Sequence, residues 1–393
     1  MMITGKDRDP MKKMIIILLC LCLGITGCAS SGTTQQEAWL ETANLEADET
    51  PEELYEKAKS EGVLTVYSIS TRMMDVAKSF EVQYPGLIVK VVDLPMDDLL
   101  SAVRNDIPTG SFDGDLVFCS DVDGFLSQEF VPNGLLYKYV PQDIEKHMLR
   151  QYDLPLLPIS ATAIILAYNA EFHAQSPISN WWEITEEKWK GKVYAPSPER
   201  IGAAFSLLCF MQEHQELLKQ AYEQHYGSPF ISENGESAFQ VFWRRLVEND
   251  LKIVNSTDEV ADAVGAPDVL EDRVGILSSS KIRLNDIGYR LGANYALECF
   301  PELVYTNDIM IAAGSKNINS AKLFIRWLMG ETNGQGEGYR PYLQNGAWST
   351  RADVQSESLY ALNQSKLMVS NGAYAYVHRD EILKFWAELL TDK

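Results

Sequence analysis

From residue 63 onward, short continuously apolar runs alternate with longer stretches whose apolar positions recur every three or four residues. "VLTVYS" (63–68), "LIVKVVDL" (87–94) and "GDLVFCS" (114–120) read as buried strands, and "TRMMDVAKSFEVQYPG" (71–86), "MDDLLSAVRND" (96–106) and "DVDGFLSQ" (121–128) read as the helices that follow them. A second series predicts strands at "ATAIILAYN" (161–169), "GKVYAPS" (191–197) and "VGILSSS" (274–280), with helices over 202–225 and 235–249. A third block, "NDIMIAAG" (307–314) and then "SAKLFIRWLMG" (320–330), reads as a strand and helix returning to the first series. Such alternation implies right-handed βαβ units and mostly parallel sheets covered on both faces. The fold class is therefore α/β, in two lobes. Ahead of the first strand, Thr50-Pro51-Glu52-Glu53 fits a capping box with proline at the first helical position, and Gly62 supplies a stop, so a helix is expected at about 51–61.

The first 27 residues follow a different rule. Lys12 and Lys13 precede an apolar run from Met14 to Leu23, too short to cross a bilayer that needs about 20 residues. Small residues then lead through Ile25-Thr26-Gly27 into Cys28. This order is that of a secretory leader, and the last four residues resemble a bacterial lipobox, which implies lipid on the Cys28 sulfur. Cys20 and Cys22 leave with the leader, and translation is expected to start at Met11, since Met1–Pro10 fits no leader pattern. Residues 28–50 are polar, acidic and aperiodic, and read as a flexible tether with a reach on the order of 25 Å. The lobes are expected over 51–158 with 303–345, and over 159–302 with 346–393.

The 393 residues carry 34 Lys and Arg against 55 Asp and Glu. Removal of residues 1–27 takes four basic and two acidic side chains, leaving a net charge of −23. A body so acidic is repelled by nucleic acid and by anionic lipid, so neither is an expected partner and membrane contact falls to the lipid alone. Three cysteines remain, Cys119, Cys209 and Cys299. They are far apart and odd in number, which suits free thiols better than a disulfide framework or a zinc site.

"EGVLTVYS" with its following helix, "WWEITEEKWKGKVYAPSP", and "SAKLFIRWLMG" ahead of "GYRPYL" resemble the type II periplasmic binding proteins of ABC importers. The nearest group binds ferric ion, sugar phosphates and phosphonates. The most specific piece is Trp189-Lys190-Gly191-Lys192 before a strand. The resemblance spans roughly residues 55–350. It implies a non-enzymatic, monomeric protein on the outer face of a bacterial membrane, with no cofactor. Such a protein closes two lobes on a small-molecule solute and delivers it to an ABC permease and its ATPase.

In open α/β sheets ligands gather at the carboxyl ends of strands, where helix N-termini present unpaired N–H groups. Four loops meet that description. Ser70, Thr71 and Arg72 follow the first strand, and a cation at a helix start wants an anion nearby. Ser120 and Asp121 follow "LVFC"; Asp121 is also a good helix cap. Ser197, Arg200 and Gly202 lie in "PSPERIGAAF", where an arginine can grip an anion and a glycine admits close approach. Ser278, Ser279 and Ser280 after "VGIL", with Asn307 and Asp308, complete the wall. Hydroxyls, helix N-termini and the guanidiniums of Arg72 and Arg200 favour a phosphate, phosphonate or carboxylate.

Ferric-ion and polyamine binding are the alternatives within the same fold. No Tyr-Tyr pair occurs, and the histidines are scattered; His214 and His225 on one predicted helix lie about 16 Å apart, too far to share a metal. No metal site is therefore expected. Ser278 to Lys281 matches S-x-x-K, the one trace of a surface hydrolase, but S-D-N and K-T-G are absent and no catalytic residue is assigned. Trp181, Trp182 and Trp189 read as core.

Overall fold

The computed structural model describes residues 35–391, apart from 233–234, 296 and 364–365. The leader, its cysteines and Cys28 lie outside the described residues. Among those described, no helix is long and apolar enough to cross a membrane.

The chain opens with α1 (Gln35–Ala43) and α2 (Pro51–Ala58). The expected capping box of α2 is formed: Thr50 Oγ1 accepts from the Glu53 amide, and Glu53 accepts from the Thr50 amide. The segment expected as tether is helical over Gln35–Ala43 and docked. Trp39 Nε1 donates to Ser315 O at 2.9 Å and its ring meets Tyr137, while Gln36 reaches Gly134 O. Ala43 is buried in the first-lobe core, and Lys322 donates to Asn44 O and to Glu49.

Then follow β1 (Leu64–Ser68), α3 (Met73–Gln83), β2 (Val89–Asp93), α4 (Met96–Thr109) and β3 (Leu116–Cys119). The predicted helix after β3 is a single π-helical turn, Leu126–Phe130, and it is succeeded by β4 (Leu136–Tyr137) and α5 (Gln142–Glu145). The second series comprises β5 (Leu157–Asn169), β6 (Val193–Pro196), α6 (Gly202–Glu213), α7 (Gln215–Tyr226), α8 (Ala238–Glu248), β7 (Lys252–Val254), α9 (Thr257–Gly265), β8 (Val274–Ser278) and β9 (Leu291–Asn294). The chain ends with β10 (Glu302–Ala312), α10 (Ile318–Leu328), β11 (Ala347–Ser349), β12 (Leu367–Val369) and α11 (Gly372–Thr391). The helix expected over 202–225 breaks at His214, whose backbone (φ −111°, ψ 37°) is not helical. His225 accordingly sits on a different helix from the one that leads into His214.

The strand order is β2-β1-β3-β10-β5-β8-β6-β7. Outer pairs are parallel, as expected: β1 with β2 and β3, and β6 with β7 and β8. The middle is not. β10 runs antiparallel to β3 and β5, and β5 antiparallel to β8, so the sheets are mixed. β5 is buried along all 13 residues, and a continuously apolar run carries no mark of direction. Leu157 and Ile159 of β5 join the first-lobe core with Ile309 and Ile311 of β10. Further along, Ile164 and Leu166 of β5 and Leu303 of β10 join the second-lobe core. These two strands are the physical connection between the lobes.

Asp115 fastens the first lobe by accepting from the Thr65 amide, Ser315 Oγ and Asn317 Nδ2. Trp181, Trp182 and Trp189 are buried in the second-lobe core, as their spacing suggested. Residues 347–353, expected in the second lobe, lie partly against the first, because buried Arg351 donates to Met329 O and Glu331 O and forks onto Asp353. Cys119 and Cys209 are buried free thiols, and half-buried Cys299 donates to Gln224.

Candidate functional site

The ends of β1, β3, β6 and β8 face one another across the seam between lobes. After β1, Ser68 Oγ accepts from the Ser70 amide and donates to Ser70 O, a tight turn that starts α3. Thr71 is exposed on that turn. Arg72 caps α3 in helical geometry, donates to Pro341 O at 3.0 Å and lies 4.7 Å from the Tyr342 ring centroid. Among the described residues it has no carboxylate partner. Burial pushes its pKa down, with Arg283 across the seam adding to the effect.

Opposite stand Ser278 and Ser280, whose hydroxyls are 2.9 Å apart, and Tyr305 of β10, which donates to Ser278 Oγ at 2.9 Å. Arg283 donates to Ser280 O. The Tyr342 hydroxyl is buried beside Ser70 without a hydrogen bond of good geometry, and burial pushes its pKa up to about 12. On the floor, Ser120 Oγ donates to Asn307 Oδ1 and Asn307 Nδ2 donates to Ser160 Oγ. Arg72, Tyr342, Tyr305, Ser278, Ser280 and Arg283 are thus neighbours across the seam, with Ser70 beside Tyr342, while Ser120 and Asn307 are joined to each other on β3 and β10. The sequence reading missed Tyr305, Tyr342 and Arg283. Tyr342 lay in the quoted "GYRPYL", and Tyr305 sits two positions before Asn307, so strand alternation could have found it.

Other expected residues serve different ends. Ser279 is fully buried, accepting from the Ala163 amide and donating to Gly346 O, which ties β8 to β5. Asp121 accepts from the Leu126 and Ser127 amides, holding the π-helical turn. Asp308 is wholly buried, because alternation along β10 turns it with Thr306 to the face opposite Tyr305 and Asn307. Ser197 Oγ accepts from the Glu199 amide. Arg200 is exposed in a hollow with Asp97, Asp123 and Arg379. A Cβ on Gly202 would come within 2.3 Å of Val122 Cγ2, so here the lobes already touch. Lys281 pairs with Asp258 and does not reach Ser278, so the S-x-x-K match assembles no nucleophile and base. Among the described residues no group of three or more His, Cys, Asp and Glu is placed to hold a metal ion.

Comparison with known proteins agrees with this architecture. Residues 67–335 match the family model described as bacterial extracellular solute-binding protein. No curated protein matches the chain. Among solved structures, it is similar to the apo ferric ion-binding protein A of Pasteurella haemolytica (18% identity, TM-score 0.61), with 84% of this chain and 98% of that one covered. It is also similar to a periplasmic binding protein of Actinobacillus pleuropneumoniae with fructose-6-phosphate bound (17%, 0.62), covering 84% and 99%. A third is the substrate-binding protein of an ABC transporter from Agrobacterium tumefaciens (14%, 0.64), covering 84% and 95%. At these identities the solved structures speak to the fold alone. The family is one of binding proteins and not of catalysts. The family match over most of the chain, with two lobes joined by β5 and β10, places the chain among the bacterial extracellular solute-binding proteins of the type II architecture that serves ABC importers.

Proposed function

We propose that the protein captures a small organic anion bearing a phosphate, phosphonate or carboxylate, and passes it to an ABC permease while held at the membrane by lipid on Cys28. The observation that carries the ligand class is Arg72, a largely buried guanidinium with another arginine across the seam and, among the described residues, no carboxylate paired with it. A buried charge without a partner is costly, and a charged solute supplies the partner. Hydroxyls of Ser70, Ser278 and Ser280 stand ready to complete the anion's shell.

Ferric ion is the second reading. It is favoured by the two phenols, Tyr305 and Tyr342, that flank Arg72, since hard Fe(III) takes anionic oxygen ligands, and by the name of the Pasteurella haemolytica relative. Polyamines fit less well, because two guanidiniums would repel them.

A thermal-shift panel tests this: inorganic phosphate, sugar phosphates, phosphonates, di- and tricarboxylates, polyamines and ferric citrate. Stabilisation by one anion class is expected. A response to ferric ion with no response to free citrate would favour the second reading, and a response to polyamines alone would sink both. For the anchor, Cys28→Ser is expected to move the protein from the membrane to the soluble fraction with its melting unchanged; retention in the membrane at moderate salt would refute the lipid.

A further inference from the structure

Helix α1 sits at one end of the molecule. It docks on Gly134 and Tyr137 at β4 and on Ser315, and β4 pairs with Ile311 and Ala312 at the last residues of β10. Near the opposite end of β10, Leu303 joins the second-lobe core. The 11 residues of β10 span about 36 Å at roughly 3.3 Å each, so α1 is seated at the pole of the first lobe that lies away from the second.

A helix of nine residues does not stand alone in water, where about 12–15 are marginal, so α1 is helical because it is docked. Its grip is local and uncharged. Trp39 Nε1 donates to Ser315 O at 2.9 Å, the Trp39 ring lies 5.3 Å from that of Tyr137, and Gln36 Nε2 donates to Gly134 O at 2.8 Å. Further along, the chain is fastened a second time. Asn44, at a left-handed φ of +41°, follows the helix; its carbonyl and Glu49 both accept from Lys322, whose side chain is 2% exposed, and Gln142 of α5 donates to Glu46 O. On the outer side of α1, Glu37 and Glu41 are exposed and acidic, so charge does not draw this face to an anionic bilayer.

We propose that α1 is a clamp on the lipid tether, which pins the pole of the first lobe near the membrane and leaves the second lobe as the outer one; this rests on the reading of Cys28 as the lipidated residue. Gln35 is seven residues from Cys28, at most about 25 Å of chain at roughly 3.5 Å each. With α1 undocked the hold passes to Asn44, sixteen residues from Cys28, and the limit rises to about 56 Å. The clamp therefore more than halves the leash. A tether free over residues 28–50 would offer either lobe to a membrane partner, whereas the clamped one offers the first.

The test uses the full-length lipidated protein in vesicles whose lipids carry an acceptor dye, in a Cys299→Ser background that leaves only buried thiols in the body. A donor dye is attached at Lys146→Cys, beside α5 in the first lobe, or at Leu270→Cys, 90% exposed just ahead of β8 in the second. Energy transfer is expected to be stronger from Lys146→Cys. Trp39→Ala, and separately an insertion of about 15 Gly and Ser residues between Thr34 and Gln35, should each lower it toward the value from Leu270→Cys. A Glu-specific protease tells the two apart. It should cut at Glu37 and Glu41, and release the body from the vesicle, roughly tenfold faster or more in Trp39→Ala, while α1 of the inserted variant stays protected. With the protein in the membrane fraction, equal transfer from the two positions in wild type, or transfer that neither variant changes, would overturn the clamp alone. Loss of the difference on adding salt would do the same, since adhesion of a charged face and not the tether would then set the orientation. Wild type recovered in the soluble fraction would refute the lipid on Cys28, and the clamp with it.

Discussion

Arg72 carries a charge that the ligand-free protein leaves unbalanced, so its removal separates binding from stability. Arg72→Ala is expected to leave melting of the ligand-free protein unchanged or slightly higher, while weakening the solute by roughly 10- to 150-fold, the range of one charge-assisted hydrogen bond of about 1.5–3 kcal/mol. Isothermal titration with the ligand found by thermal shift, beside a melt of the free protein, reads both quantities; unchanged affinity would remove Arg72 from the site. Residues such as Arg72, Ser120 and Asn307 were legible because strand ends and helix starts are written in local patterning. Ser279 and Asp308 were not. The first is drawn inward by bonds to the Ala163 amide and Gly346 O, partners that local sequence does not name, and the second was misplaced because adjacent strand residues face opposite ways, so it could not share a wall with Asn307.

The element that most changes the picture is α11. Its apolar residues are spread around the helix, and only Ala375, Ile382 and Trp386 are buried, so no narrow stripe announces it. It packs on the second-lobe core yet reaches the first lobe at its N-terminus, where Gly124, with φ of +79°, lies under Gly372. A Cβ at Gly124 would come within 2.0 Å of Gly372 O. Gly110 has a similar φ of +72° with nothing within 4 Å, so Gly110→Ala carries the backbone strain alone. Gly124→Ala is expected to cost about 1–3 kcal/mol more than Gly110→Ala, the typical penalty of overpacking. Amide exchange over residues 372–380 should also rise in it alone. Equal melting of the two variants would mean that α11 does not bear on this loop. The direction of β5 and β10 was illegible for a related reason, since strands buried on both faces read alike whichever way they run.

At the scale of the whole molecule, the two α/β series and the return of the chain were legible as two lobes, because alternation of strand and helix repeats over long distances. What joins them was not, because β5 and β10 each divide their pairing between lobes. The proposed closure would turn on these strands, and Gly202 marks where the lobes meet: it starts α6 without a left-handed φ, so a side chain there is limited by Val122 and not by its own backbone. Gly202→Val is therefore expected to wedge the lobes apart while leaving each lobe folded. With a saturating amount of the identified solute, small-angle scattering should show the wild type contracting and Gly202→Val keeping its ligand-free radius of gyration. Affinity should fall by roughly tenfold or more, because contacts made by the second lobe, each about 0.5–1.5 kcal/mol, are lost together. Arg72→Ala supplies the contrast, since once saturated it should contract as the wild type does, a charge having been removed without an obstacle being added. If Gly202→Val contracted normally and bound normally, the contact with Val122 would not belong to the closing surface, and the solute would have to be held by one lobe alone.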